Sequence, residues 1–595
     1  MKSLINLCTC LLIDLGRLCS VDTARDLSTI KSRAQHEGLS FFTITLPEFA
    51  SHFELCLDKQ QVTPTDFSGW KRTGCLPSFL RGFTELVFDR EGRIVDGEIH
   101  QAIYAVRQIC RFAKKVSLPC SEKRTRAAFR KFTDLESDLQ WTTLPHDSVR
   151  MRHFNDVCDY LWGQVFTRGF NSLESVPKHG PGATAEMISG NQKYRFVEWS
   201  TRLERVFPFT EFGMPSVSSV GEPNCPLKVV NYVKSSEERP VRVISVPKTL
   251  KTPRIIAIEP VCMQYTQQAV SRFLMETLES HPFTKRSIRF KDQSVNQEMA
   301  LRASADRSYA TIDLSDASDR VTAKGIAKML RSVPDLRRAV FACRSKTANV
   351  PEFGLVRLKK FASMGSALCF PIESMYFFSV ILASLLWKHN LPPSRDAILK
   401  WAPRIDVYGD DIIIPTDETD TVIEALHLFG CKVNVSKSFA RGNFRESCGT
   451  DAYCGVDVTP IYLRHMCPST RRDFAGILSW IATSNLFHKG GCWQTANYMR
   501  LHIERLLGKL PVVLDESPGL GWSSFLGLPP ATVYSVHTHA PIVHTYVCSI
   551  RKQTDELDGY PALLKYFLNS QHAEKPVTDK EHLAKSARLG TVSKK

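Results

Sequence analysis

The sequence predicts an α+β fold in which a short antiparallel sheet carrying acidic side chains is backed by helices. Three observations predict it. The tetrapeptide Tyr408-Gly409-Asp410-Asp411 lies between Ile405-Asp406-Val407 and the apolar run Ile412–Ile414. That reads as strand, tight turn, strand, with Gly409 supplying backbone freedom at the bend. Further toward the N-terminus, Tyr309–Ile312 reads as a short buried strand with Asp313 at its end. Around both lie longer patterns that suit helices: Met263–Glu279, Pro371–Trp387, Arg471–Thr483 and Trp493–Leu507.

Taken in order, residues 1–170 alternate helical patterns with basic clusters such as Lys123-Arg124-Thr125-Arg126 and Arg130-Lys131. Met1–Ile13 superficially mimics a secretory signal, but Asp14 and Arg17 cut the apolar stretch short, so an amphipathic helix is expected. Residues 171–300 open with the turn Gly180-Pro181-Gly182 and hold a strand-rich stretch, Val229–Ile258. Residues 301–465 contain the two acidic segments, and the Ser/Asp cluster after Asp313 offers caps for a helix over Ala323–Leu330. The apolar run Met375–Trp387 is shorter than the ~20 residues of a membrane span and is expected to be a buried helix. Residues 466–572 turn helical, with a Gly/Pro-rich patch at 518–530, and the charged tail 573–595 is expected to be mobile.

Lys and Arg number 77 against 61 Asp and Glu, a net charge of +16 that favours a polyanionic partner. The 18 cysteines are scattered with no Cys-x-x-Cys pair, which argues for reduced thiols rather than a disulfide framework. His537, His539 and His544 with Cys548 match no common structural zinc spacing. Trp480, Trp493 and Trp522 fall in or near helical patterns, where core packing is the expected role.

Adjacent carboxylates at a hairpin tip repel each other, and a divalent cation is the usual remedy, because hard oxygen ligands suit Mg²⁺ or Mn²⁺. A second carboxylate at a neighbouring strand end, Asp313, completes what a two-metal phosphoryl-transfer site requires. Asp313 and Asp410 are the first candidates. Neighbouring strand residues point to opposite faces, so Asp411, the third candidate, is expected to turn away and reach metal only through water or a turn distortion. Arg242, Lys248, Lys251 and Arg254, interleaved with Val, Ile and Pro, are candidates to neutralise a triphosphate, with Glu259 buttressing one of them. Lys437, in Cys431–Lys437, is a candidate cation for a leaving pyrophosphate. Arg445, Tyr462 and Arg464 are candidate phosphate contacts on strands formed by Phe444–Gly449 and Tyr462–Arg464.

Several pieces occur in a telling order: His179-Gly-Pro-Gly-Ala183, Val246-Pro-Lys248-Thr-Leu-Lys251-Thr-Pro-Arg254 running on to Pro260, and Asp292-Gln293-Ser-Val-Asn296-Gln297. The Asp313 segment, Ser363-Met364-Gly365-Ser366, the Tyr408–Asp411 hairpin, Phe444–Gly449 and Asp457–Arg464 follow. From His179 to His465 the chain thereby resembles the RNA-directed RNA polymerases of positive-strand RNA viruses, and most of all the replicase catalytic (beta) subunit of the single-stranded RNA bacteriophages, the levivirus group. The resemblance implies a right-hand polymerase: fingers over 171–300, an antiparallel-sheet palm over 301–465, a helical thumb over 466–572, and an N-terminal region joining fingers and thumb. It implies template-directed, primer-independent RNA synthesis from ribonucleoside triphosphates with two Mg²⁺ ions (Mn²⁺ substituting), in the cytoplasm of an infected bacterium. It also implies a complex with the host translation elongation factors Tu and Ts, and a small-subunit ribosomal protein. Relatives outside the phage group carry an Asn where this chain has Glu373, and a carboxylate where it has Ser318. Ribose recognition therefore stays open among Ser318, Asp319, Ser366 and Glu373. The competing readings are a reverse transcriptase-like polymerase and a non-catalytic viral RNA-binding protein.

Overall fold

The computed structural model describes residues 1–188, 190–527, 533–537, 539, 542–550, 555–570 and 587–592. The chain begins with helix α1 (Lys2–Cys19), whose Leu4, Leu7, Leu11 and Leu15 recur at helical spacing and are buried. Helix α2 (Leu46–Lys59) follows, and α3 (His100–Arg111) packs against both. Two further helices start on serine caps: Ser121 Oγ accepts the Arg124 N–H in α4 (Glu122–Asp138), and Ser148 Oγ accepts the Met151 N–H in α5 (Val149–Val165).

Strands β1 (Val241–Val246) and β2 (Arg254–Ile258) form an antiparallel pair, followed by helices α6 (Val261–Ser280) and α7 (Ser294–Asp306). Strand β3 (Tyr309–Asp313) comes next, then β4 (Thr347–Val350) and β5 (Gly354–Arg357), which extend the first sheet in the order β2-β1-β4-β5. The Ser/Asp cluster after Asp313 does not cap the helix that begins at Ala323; Asp316 precedes a single turn, Ala317–Arg320, without a side-chain cap bond. Thr322 caps Ala323–Met329, and Asp316 instead sits at φ 53° with its carboxylate 2.6 Å from Lys131 Nζ.

Helix α8 (Cys369–Lys388) is long and apolar enough to cross a membrane, but its window is 94% buried inside the protein. Its apolar residues point all round, as a helix enclosed by protein requires, and α5 and α9 (Thr419–Leu428) flank it. In front of α8 lies the sheet that matters most: β6 (Asp406–Tyr408), β7 (Asp411–Pro415) and β3 in the order β6-β7-β3, antiparallel throughout. Strands β8 (Phe444–Ser447) and β9 (Thr450–Tyr453) form a further antiparallel pair, and α10 (Phe474–Lys489) and α11 (Trp493–Leu507) follow, the predicted C-terminal helices. The architecture is α+β, as expected.

The apolar interior has two large cores and a small one, the last formed by Phe129 and Phe132 of α4 against β1, β2 and β4. One large core gathers residues between Trp141 and Val433, with Leu564 and Leu568, around α8 and the back of the β6-β7-β3 sheet. The other joins residues 4–116 to residues 439–522, so the N-terminal helices and the C-terminal helices share one interior, with Trp480 and Trp522 inside it and Trp493 exposed. Tyr462–Arg464 is extended but forms no strand. The predicted mobile tail, 573–595, lies outside the described residues except for 587–592, a strand paired with Thr545–Ile550.

Candidate active site

Register decides which acids meet. Asp411 is the direct cross-strand partner of Asp313, and Thr311 partners Ile413. Residues opposed in an antiparallel ladder point to the same face, so Asp313 and Asp411 share one face while Ile312 and Ile412 point to the core. The expectation that Asp411 turns away is therefore corrected. Strand alternation places it opposite Asp410 only if both lie on the strand, and Asp410 lies in the turn. Gly409 takes φ 65° at this turn, and a Cβ there would meet the Phe370 ring at 2.3 Å.

Asp410 is exposed at the tip, and its charge bears on both Asp313 and Asp411. Burial, then repulsion from Asp410, Glu446 and Asp313, pushes the Asp411 carboxyl up to about 7, while the Cys448 N–H, 3.1 Å from Oδ2, opposes the shift. Burial also raises Asp313; Lys437 and Asn434 oppose it, and Asp410 and Glu446 add to it. Asn434 Nδ2 donates to Asp313 Oδ2 at 2.7 Å and orients the carboxylate, while the Asp313 backbone N–H donates to Ser438 Oγ at 3.2 Å and ties down the strand end. Lys437 Nζ stands 3.5 Å from Asp313 and 4.0 Å from Glu446, and this acidic surround, Glu446 first, holds its ammonium above the usual value. Asn434 and Glu446 were not picked out from the sequence. Both lie on segments that reach Asp313 only through tertiary pairing, by the bridge of Leu314 with Val433 and by the docking of β8 on β3.

Among the described residues no three His, Cys, Asp or Glu side chains already stand together as a metal cage, and Lys437 provides the countercharge. The donor set nevertheless suits Mg²⁺ or Mn²⁺: carboxylate oxygens throughout, crowded enough to raise one another's proton affinity.

Lys248 joins this face. Burial lowers its pKa, as do Arg254 and Lys437, and Asp410 and Asp313 oppose the shift. Arg254 opens β2 opposite Val246, on the exposed side. Lys251 does not join them: its ammonium pairs with Glu48 of α2 at 2.9 Å. Arg242 lies on β1 opposite Ile258, and Glu259 accepts from Ser345 Oγ at 2.5 Å, with burial pushing its carboxyl up to about 7.

Ser318 is buried, and Asp319 holds the wholly buried ammonium of Lys360 at 3.0 Å together with Glu136 at 3.2 Å. Burial pushes the Glu373 carboxyl well up, and Asp410 and Asp319 push it further, beneath the hairpin tip. Ser366 donates to Gln267 Oε1 at 3.1 Å in a loop laid on β2, where Gly365 at φ 124° leaves no room for a Cβ, which would fall 2.0 Å from Ala257 O.

Arg445 corrects another expectation. Its side chain is 0% exposed, and it donates to the carbonyls of Tyr309, Gly442, Phe444 and Ala440 at 2.6 to 3.2 Å. A guanidinium so enclosed cannot meet a phosphate; it joins β8 to the start of β3. Tyr462 and Arg464 stand apart from it, half-buried and exposed, in a group with Lys115. The His537, His539, His544 and Cys548 group supplies no metal cluster among the described residues.

A family model described as RNA replicase, beta-chain, matches residues 222–477, which include every acid of this face. The chain is 37% identical over 238 residues to the RNA-directed RNA polymerase beta chain of Escherichia phage MS2, covering 40% of this chain and 40% of that protein. It is 36% identical over 224 residues to the RNA-directed RNA polymerase subunit beta of Qbeta virus (strain MX1), covering 38% and 35%. With that of Enterobacteria phage SP it shares 34% over 354 residues, covering 57% and 56%. The chain thus aligns with well under two-thirds of the length of these relatives. Among solved structures, the RNA-dependent RNA polymerase of a human picorbirnavirus aligns with 44% of this chain and 55% of its own at 11% identity and a TM-score of 0.33. The segment that carries the acidic hairpin and its partner strand is similar to the RNA replicase beta chains of these phages.

Proposed function

We propose that this chain is an RNA-directed RNA polymerase that copies a viral single-stranded RNA genome from ribonucleoside triphosphates, without a primer. The observation that carries the reading is the single sheet face on which Asp313 and Asp411 are cross-strand partners, with Asp410 at the tip and Lys248 beside them. Asp313, Asp410 and Asp411 would hold two Mg²⁺ ions, which supply a lowered pKa for the attacking 3′-hydroxyl and neutralise the leaving pyrophosphate.

The chain's own groups do the rest. Asn434 orients the Asp313 carboxylate and Ser438 holds its backbone, so the acid that faces the reacting centre needs little reorganisation. Lys248 and Arg254 receive the triphosphate, Lys248 as a point charge and Arg254 as a fork of donors. In this reading 301–465 is the palm, 171–300 the fingers and 466–572 the thumb. Partnership with the host elongation factors Tu and Ts, a ribosomal small-subunit protein, and work in an infected bacterial cytoplasm are carried by the family resemblance alone.

Incorporation of labelled nucleotide on a heteropolymeric RNA template, with and without a bacterial extract, tests the proposal. Ribonucleotides entering acid-insoluble product are expected. Preference for deoxyribonucleotides would favour a reverse transcriptase, and salt-sensitive RNA retention without incorporation a binding protein.

A further inference from the structure

A cluster of cations stands beside the carboxylate face and takes no part in the chemistry above. Lys114 and Lys115 follow α3 in a segment fastened to the stretch before Arg464. The Leu463 N–H donates to Phe112 O at 2.7 Å, and the Ser117 N–H donates to Arg464 O at 2.8 Å. Lys115 Nζ lies 3.9 Å from the Tyr462 ring centroid, and the Arg464 guanidinium 6.0 Å from the same ring. Among the described residues none of Lys114, Lys115 and Arg464 forms an ion pair, although both lysines are half-buried.

The arrangement is costly as it stands. Burial and Arg111 pull the Lys114 ammonium down to about 8, and burial and Arg464 lower that of Lys115. The cleft beside Asp316, about 880 Å³, is also basic, but two of its cations, Lys131 and Arg126, are paired with Asp316 and Glu352. Glu446 and Lys437 bear on Lys114 and Lys115 and also on Asp313, which locates the unpaired cations at the border of the acidic face. Glu54 and Asp451 act on them as well as Glu446, yet among the described residues no carboxylate reaches ion-pair distance. Crowded, partly desolvated like charges of this kind gain most from a ligand with several negative oxygens.

We propose that Lys114, Lys115 and Arg464, arrayed about Tyr462, form a binding site for the phosphates of an RNA strand end at the border of the carboxylate face. The ligand is either the backbone of the growing strand or the triphosphate of the first nucleotide. The site deepens the polymerase reading, on which its assignment to the growing or starting strand rests. The N-terminal region thereby contributes directly to substrate binding.

The test uses the full-length chain with both lysines changed to Gln, and a control with both changed to Arg. At about 0.15 M salt the Gln variant is expected to bind a pre-annealed RNA primer–template about tenfold or more weakly, with a salt slope reduced by about two. If the ligand is the starting triphosphate, primed binding holds while the KM for the first nucleotide in primer-free synthesis rises about tenfold. The Arg variant keeps wild-type behaviour in both assays. Should the Gln variant fail to fold, Arg464→Gln, at an exposed position, is expected to weaken the same binding with a salt slope reduced by about one. A folded Gln variant with unchanged primer–template affinity, salt slope and first-nucleotide KM overturns the proposal. The binding arm requires no incorporation, so a chain that loses lysine-dependent binding yet never incorporates nucleotide sinks the polymerase reading and leaves the phosphate site standing.

Discussion

At Gly409 two constraints coincide: a φ of 65° and a ring, Phe370, standing where a Cβ would go. Gly409→Ala is therefore expected to cost about 1–3 kcal/mol and to displace the hairpin tip. Incorporation falls with RNA retention kept, and a variant of wild-type activity would show that the tip tolerates movement. Arg445 makes a contrasting case. With four carbonyls relying on one buried guanidinium, Arg445→Met should lower stability by about 3 kcal/mol in urea unfolding. Its RNA affinity at low temperature should equal that of the wild type. These two residues also mark the limit of what could be read in the sequence. Gly409 was legible because a turn residue between two apolar strands states its own requirement locally. Arg445 was not, because its burial follows from β8 docking on β3 across more than a hundred intervening residues, and an isolated arginine carries no trace of that.

Among the elements, strands and helices with a clear local pattern emerged nearly as predicted: β3, the β6–β7 hairpin, α6, α8, α10 and α11. Facing was harder. Whether Asp411 joins Asp313 depends on register, which the turn sets, and a one-residue slip would reverse it. Another element-level feature unseen in the sequence is the buried ionic group joining α2 and α3 to β9. Arg107 Nε and Arg111 meet Glu54, and Arg107 meets Asp451 at 2.7 Å. Burial alone would raise the Glu54 carboxyl, but Arg111 and Arg107 outweigh it and hold it at about 2. A carboxylate whose folded pKa lies below its unfolded value stabilises above the unfolded value and loses that contribution as pH falls toward the folded one. The Glu54 contribution, about 3 kcal/mol, is expected to vanish between about pH 4.5 and 2. Glu54→Gln should flatten that limb of the stability profile in urea titrations, and an unchanged slope would remove Glu54 from the account.

On the scale of the whole molecule, the N-terminal and C-terminal helices form one interior, and three contacts show how it is closed. Asp14 of α1 caps α11 through the N–H groups of Gln494 and Thr495, at 3.0 and 2.9 Å. Asp58, at the end of α2, accepts from the N–H groups of Ala440, Arg441 and Gly442. Gln108 of α3 exchanges hydrogen bonds with Ile461. A chain beginning at residue 120 is expected to leave 444–507 open to protease and to bind apolar dye, since half of that core would be gone. Wild-type protease resistance there would show that the C-terminal half stands alone. Such long-range closure is invisible to local pattern, which is why 1–170 yielded helices from the sequence but no partner for them.

The central claim is that Asp313 and Asp410 act together in nucleotidyl transfer rather than in folding or RNA retention. Single-nucleotide incorporation on a pre-annealed RNA primer–template, measured for Asp313→Asn and Asp410→Asn beside filter retention of the same RNA, tests it most directly. The account predicts that each variant loses at least about a thousandfold in rate and that the pair together loses little more, with retention kept. Incorporation within tenfold of wild type in either variant, or loss of retention in step with activity, would contradict it.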